Sequence, residues 1–225
     1  MLIAVDNPHK WQGPILLARA LRSLGQNAKA FRGVTIPADF RVTWGFSNPR
    51  ADLNPRILGD KLRELQHLHL AGVRIPTFSL VEPADGEWLA RSQHHRQGQD
   101  LIRGCRPYYW VKRLDLTCEF RVHVFRGQSI RLGMKIPGDN AHPWIRSCRH
   151  GWRISYGSDA QNAYVSGVRS IAKRAVEALG YDFGAVDVGV GRGAVVLEVN
   201  TAPGLDNVNT ALAYARHIAQ IASGG

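Results

Sequence analysis

The sequence predicts an α/β (α+β) protein built from a short α/β lobe followed by larger mixed lobes. Three observations predict it: a strand–helix–strand–strand opening, two later hairpins of alternating apolar and polar residues, and four helices spread along the chain. The chain has 225 residues, with 44% hydrophobic and 21% charged residues, enough for a proper core in one large domain or a few packed lobes.

Each element has its own signal. "LIAV" closed by "DNP" reads as a strand and loop. "GPILLARALRSLG" has Pro14 at its start, Gly25 past its end, and Ile15, Leu17, Ala18, Leu21 and Leu24 at helical spacing. "AKAF" and "RVTWGF" read as strands, and Pro49 and Pro55 mark a connection. "DKLRELQHLHLAG" is a helix with Leu62, Leu65, Leu68 and Leu70 on or near one side. "RIPTFSLV", "EWLARS" and "YYWVK" read as strands, and "HHRQGQDLIRG" as a polar loop. "CEFRVHVFRGQSIRLGMK" is a hairpin turning at Arg126-Gly127, and 137–160 is polar and reads as loop. "YVSGVRSIAKRAVEALG" is a helix with its stripe on Val165, Val168, Ile171, Ala172, Ala175, Val176 and Leu179. "FGAVDVGV-GRG-AVVLEVN" is a second hairpin, and "NTALAYARHIAQIA" a last helix.

The net charge of +11 is uneven. From Arg91 to Arg153 there are 13 Lys/Arg and 4 Asp/Glu, a balance of +9; the rest has 16 and 14, a balance of +2. Such a field suits an anionic partner, whether small molecule, peptide or nucleic acid, although a solvated basic face is the plainer reading. No long apolar run predicts a membrane span, and the N-terminus lacks a basic region ahead of its apolar run. Cys105, Cys118 and Cys148 carry no metal-ligand spacing and read as reduced thiols, which points to the cytoplasm.

Alternation in the second hairpin places Val186, Val188 and Val190 on one face, and Val195, Leu197 and Val199 on one face of its partner. Asp187, Glu198 and Asn200 then share the other side. Two carboxylates about 4 Å apart repel by roughly 4 kcal/mol at an effective dielectric of about 20, so a proton or cation must cancel the charge. Two acids and an amide oxygen suit Mg²⁺; a wet sheet face bearing scattered acids is the competing explanation. The first hairpin groups Glu119, Arg121 and His123, with Arg131 and Lys135 on the next strand. If both hairpins share a sheet, cations neighbour acids, as a metal-bridged triphosphate would require. The plainer alternative pairs Glu119 with Arg131.

These stretches resemble ATP-grasp enzymes, the fold of D-alanine–D-alanine ligase and of ligases that add glutamate to a ribosomal protein. The likeness runs over most of residues 58–205 and is most specific in "LEVNTAPGL", with an Asp eleven residues before the Glu. It implies nucleotide held between two mixed or antiparallel sheet lobes: 1–57 a short N-terminal α/β lobe, 58–111 a central lobe with a phosphate-covering loop, and 112–225 a C-terminal lobe with the metal hairpin. By resemblance Asp187, Glu198 and Asn200 bind two Mg²⁺ ions, with Mn²⁺ an alternative. Lys61 and Arg91 contact ATP phosphates under the loop carrying Gly98. Tyr109, Trp110 and Val111 form the adenine strand and Glu119 meets the ribose. Arg121 faces the γ-phosphate and Arg146 the acyl phosphate. The implied activity is an ADP-forming carboxylate–amine ligase acting through an acyl phosphate on an anionic substrate such as an amino acid, acidic peptide or nucleic-acid-linked group, in a soluble protein that could form homo-oligomers. The alternative is a nucleotide- or nucleic-acid-binding module that has lost turnover. This chain departs from the pattern at Arg91, where lysine is usual, and at Ala185, where the D-alanine ligases have arginine.

Overall fold

The computed structural model describes residues 1–32, 37–93, 101, 106–157, 164–205 and 207–224. Three sheets are present among the described residues. The first is parallel, in the order β2-β1-β3, from β1 (Ile3–Asp6), β2 (Ala28–Phe31) and β3 (Phe40–Val42). Helix α1 (Gln12–Ser23) crosses from β1 to β2, and Leu17, Ala18 and Leu21 seat it on the sheet. Ile15, expected in that stripe, is 39% exposed; Pro14 is buried in the first turn.

Helix α2 (Lys61–Leu70) starts at Asp60, whose carboxylate accepts from the Leu62 and Arg63 amides and so satisfies two orphan donors. Leu62, Leu65 and Leu68 are buried, whereas Leu70 lies off the stripe and is 85% exposed. Then comes a small sheet, β4-β6-β5, of β4 (Phe78–Ser79), β5 (Trp88–Arg91) and β6 (Tyr109–Lys112). The "RIPTFSLV" run yields only the two residues of β4.

The largest sheet is antiparallel, β11-β10-β7-β8-β9. β7 (Cys118–Phe125) and β8 (Gln128–Pro137) join through Arg126-Gly127, both with positive φ (41° and 73°), as a two-residue hairpin of right-handed twist requires. A single 3₁₀ turn (Cys148–His150) and β9 (Trp152–Ser155) occupy part of the 137–160 stretch expected to be loop. Four polar-flanked residues carry too little alternation to announce a strand; pairing with β8 makes one. Helix α3 (Val165–Ala178) buries Val168, Ile171, Ala172, Ala175 and Val176 against the sheet. β10 (Phe183–Val190) and β11 (Ala194–Asn200) follow.

The β10–β11 register corrects one expectation. Asp187 lies opposite Glu198 but Val188 lies opposite Val196, so Leu197 is the extra residue of a bulge. Beyond it the faces swap: Val196 and Val199 join the apolar cluster under α3, Leu197 does not, and Val195 is buried, as expected, but outside that cluster. Alternation assumes an unbroken ladder, and the bulge breaks it.

Helix α4 (Val208–Ala222) returns to the first lobe, where Ala211, Tyr214, Ala215 and Ile218 share a core with α1, Trp44, Ile3 and Val5. Asn54 locks the same lobe to β10: its side chain accepts from the Asp182 amide (2.7 Å) and donates to the Phe183 carbonyl (2.9 Å). Gly45 has φ +83°, and a Cβ there would stand 2.5 Å from the Trp11 ring and 2.7 Å from the Ala202 methyl. Gly45→Ala therefore combines a left-handed penalty with overpacking, and should cost about 2–4 kcal/mol. Urea unfolding should show a lower midpoint with an unchanged m-value.

Candidate functional site

The two hairpins do share a sheet, and one face of it gathers the charged residues. Across it Asp187 lies opposite Arg121 on β7 and Glu198 on β11; Ala185 lies opposite Asn200 and His123; Gly189 lies opposite Glu119. The small residues Ala185 and Gly189 flank Asp187 along β10. Arg121 grips Asp187 through two bonds, Nε to Oδ1 (2.7 Å) and a terminal nitrogen to Oδ2 (2.8 Å). Lys135 reaches the same carboxylate (2.9 Å) and also pairs with Glu119. Glu119 thus pairs with Lys135 rather than Arg131.

Burial alone would raise the Asp187 carboxyl; the Arg121 and Lys135 charges overturn it and hold the acid well below its usual range. Burial is the largest influence on Arg121 and Lys135 and lowers their proton affinity, but the acids around them together more than offset it, Asp187 and Glu198 for Arg121 and Asp187 and Glu119 for Lys135, so both are raised. Glu119 is pushed up by burial, with Lys135 pulling the other way. A buried charge stays charged only when paired, and this chain of alternating signs supplies the pairs.

Lys61, at the start of α2, closes the other side. Its ammonium donates to the Val199 carbonyl (2.7 Å) and pairs with Glu64 (3.0 Å) and Glu198 (3.2 Å). Burial opposes its charge, but Glu198 and Glu64 keep the proton firmly bound. The first lysine of α2 is therefore tied to the acid-bearing hairpin.

The adenine-strand residues divide. Tyr109 and Val111 pack with Leu62 and Leu65 in the small core, while Trp110 takes the opposite face with Ala90 and Ser79. Pairing on both sides occupies the β6 backbone, and the Arg113 amide still donates to Glu87. Arg91 ends β5 opposite Tyr109; Gly98 lies outside the described residues. Past β6, the segment 113–117 runs beside the acidic face. Leu116 and Leu197 converge over Gly189, where a Cβ would stand 2.8 and 3.3 Å from them, making an apolar patch beside Glu119. A cavity of about 340 Å³ opens there, bounded by Arg113, Asp115, Thr117, Trp144 and Arg146. Arg146 is held by the Leu116 carbonyl (2.6 Å) and lies 5.0 Å from the Trp152 ring centre.

Sequence reading gave three contributors no role in the site. Lys135 was visible on the right face, but its link to Asp187 is a two-strand relationship. Leu197 was hidden by the bulge. His123 is fully buried, with Nδ1 3.1 Å from the Tyr214 hydroxyl and Nε2 3.1 Å from that of Tyr156; neither tyrosine is near it in sequence. Burial, then the Arg121 charge, lower its pKa from 6.5 to about 3.

Asp187, Glu198 and Asn200 form an all-oxygen set, which fits Mg²⁺. Asp187 accepts three hydrogen bonds, within the roughly four lone-pair sites of a carboxylate. Among the described residues no three His, Cys, Asp or Glu side chains cluster as a metal cage, so such an ion would draw most ligands from phosphate and water. No helix of the described residues is long and apolar enough to cross a membrane.

A parallel lobe, a small antiparallel sheet and a five-stranded sheet with acids on one face together define the class: the chain has the ATP-grasp fold. It is similar to the ATP-grasp ligase PsnB in complex with a minimal precursor, over 97% of this chain and 98% of that one, with a TM-score of 0.69 and 13% identity. It is also similar to D-alanine–D-alanine ligase from Bacillus anthracis (100% and 99% covered, TM-score 0.66, 12% identity). A RimK domain ATP-grasp protein from Sphaerobacter thermophilus gives 96% and 98% coverage, a TM-score of 0.61 and 16% identity. No protein-family model and no curated protein matches the sequence.

The buried imidazole sets a pH dependence. The unfolded chain protonates His123 near pH 6.5 and the folded protein only near 3. Its contribution is therefore full above pH 6.5 and is lost as pH falls through that window, at up to ~1.4 kcal/mol per unit. His217, also lowered by burial, has the same sign. Urea stabilities from pH 7 to 4.5 should fall less steeply in His123→Gln than in the parent; identical slopes would refute the assignment.

Proposed function

We propose that the protein is an ADP-forming ATP-dependent ligase that joins a carboxylate to an amine through an acyl phosphate, acting on an anionic substrate. The observation that carries this is the shared face of Asp187, Glu198 and Asn200 beside Arg121 and Lys135, within an ATP-grasp fold. Among its neighbours, PsnB has been solved with Mg and ADP and with a precursor peptide and AMPPNP, and the Bacillus anthracis ligase with ATP.

In the first step a carboxylate oxygen bonds to the γ-phosphorus and the bond to the β–γ bridging oxygen breaks, releasing ADP. In the second an amine nitrogen bonds to the acyl carbon, the carbon–oxygen bond to phosphate breaks, and the amine gives up a proton. The protein's part is positioning and charge compensation. Asp187, Glu198 and Asn200 would hold Mg²⁺, which neutralises phosphate charge when bound. Arg121 and Lys135 already sit on this face, fixed by Asp187, so their charge needs little rearrangement. Arg91 and Gly98 would cover the phosphates. The base would lie on Leu116 and Leu197 below Trp110, with the ribose at Glu119. Arg146 would meet the transferred phosphoryl group from the cavity side, where the basic segment draws in the anionic substrate.

A second reading is nucleotide binding without turnover. It is favoured by the cations already bound to Asp187 and Glu198, which a metal must share. One assay separates them: ADP release with ATP and Mg²⁺, given pooled amino acids, acidic peptides or RNA. The ligase reading expects ADP and a mass-shifted product in one pool. Glu198→Gln should lower kcat/KM at least 100-fold with Tm nearly unchanged, and Arg146→Ala should lower kcat more than it raises the KM for ATP. Nucleotide binding without ADP under every condition would leave the second reading.

A further inference from the structure

Glu64 has no part in the chemistry above, yet it is buried beside it. It is 6% exposed and sits in the first turn of α2, whose other buried positions are Leu62, Leu65 and Leu68. A lysine and a glutamate three residues apart on a helix are ordinarily a weak, solvated pair. Here the Lys61 and Glu64 side chains are only 24% and 7% exposed. Burying a carboxylate is costly unless it is paired and hydrogen-bonded, so its place in this row of leucines calls for a reason.

Both Glu64 oxygens meet donors. Oε2 accepts from the Lys61 ammonium (3.0 Å) and Oε1 from the Tyr181 hydroxyl (3.3 Å). The Tyr181 oxygen in turn accepts from the Leu58 amide (3.0 Å), which leaves its hydrogen for Glu64. Such surroundings suit an ionised carboxylate. Burial pushes the Glu64 carboxyl up and the Lys61 charge pulls the other way, so the anion depends on that lysine. Tyr181 is buried as well, and burial and then Glu64 raise its pKa, which keeps the phenol protonated as a donor.

The Lys61 ammonium has three hydrogens and three acceptors around it. They are the Val199 carbonyl at 2.7 Å, Glu64 at 3.0 Å and Glu198 at 3.2 Å, so Glu198 is the most distant of the three. Two carboxylates thus compete for one ammonium. Glu64 is fixed on the helix that carries the lysine; the Glu198 side chain is 34% exposed on β11. The more of the ammonium Glu64 holds, the less Glu198 is neutralised. The Glu64 charge also makes the potential at Glu198 more negative, which acts in the same direction. Tyr181 and Val199 lie 117 and 138 residues from their partners on α2, so the balance is set between distant segments.

We propose that Glu64 is a positioning residue for the metal site: held by Tyr181, it draws Lys61 toward α2 and so leaves the Glu198 carboxylate open to a divalent cation. This rests on the reading of Glu198 as a metal ligand.

The test is the affinity of the full chain for AMPPNP, measured by calorimetry once with Mg²⁺ and once with EDTA. The ratio of the two affinities is the tightening due to metal. Glu64→Gln keeps the shape of the side chain and should lower that ratio about 10-fold, because Lys61 then pairs with Glu198 alone. The affinity in EDTA should be little changed, since without metal Glu198 has no ligand role to lose. Tyr181→Phe removes one hydrogen bond from Glu64 and should lower the ratio about 3-fold. In a Lys61→Gln chain, adding Glu64→Gln should leave the ratio where Lys61→Gln put it, because Glu64 acts through the lysine. A purely structural role would weaken binding equally with and without metal. An unchanged ratio in Glu64→Gln, or in Tyr181→Phe should the first variant not fold, overturns the proposal. A parent ratio of one sinks the metal reading and this proposal with it; a parent ratio above one that neither variant lowers sinks the proposal alone.

Discussion

The bidentate pair between Arg121 and Asp187 is the constraint on which the large sheet depends. Both groups sit on central strands, where an unpaired charge would be prohibitive, so each makes the other admissible. Lys135 extends the pair to a third strand and to Glu119, so β10, β7 and β8 are linked across their open face by side chains as well as by ladder hydrogen bonds. The same bonds fix the orientation of these cations on the open face, so holding the sheet together and setting the charge of that face are one arrangement. Replacing one partner alone would strand a buried charge.

This also explains part of the uneven charge. The +9 balance of residues 91–153 includes Arg121 and Lys135, which are consumed internally, and Arg146, which is anchored to a carbonyl. Arg106, Arg113, Arg126, Arg149 and Arg153 remain exposed. The basic segment is thus two populations: interior cations that answer acids or a carbonyl, and a surface set that carries the long-range field.

How legible this was depended on the range of the signal. The common face of Asp187, Glu198 and Asn200 follows from alternation within two short stretches, and the register keeps it. The same rule put Leu197 in the core and Val195, which is buried, on the wrong face, because a bulge is settled by how two strands fit and leaves no mark in a single apolar run. Helical stripes located α1, α2 and α3, but Ile15 and Leu70 show that an apolar residue near a stripe is not thereby buried. β9 escaped notice because its strand character comes from β8. The partition of Tyr109 and Val111 from Trp110 was readable in principle from alternation, but a family likeness treated the strand as one unit. The His123 bonds to Tyr156 and Tyr214 join three distant segments, and no local pattern encodes them.

Helix α4 carries a consequence for how the protein folds. The parallel lobe lacks one wall of its core until Ala211, Tyr214, Ala215 and Ile218 dock on it, and these lie far along the chain from β1, β2, β3 and α1. Closing so long a loop costs entropy before any contact repays it, so this core forms through non-local pairing. Until α4 docks, the Leu17–Leu21 surface stays open, the kind of sticky patch that chaperones and proteases sort on.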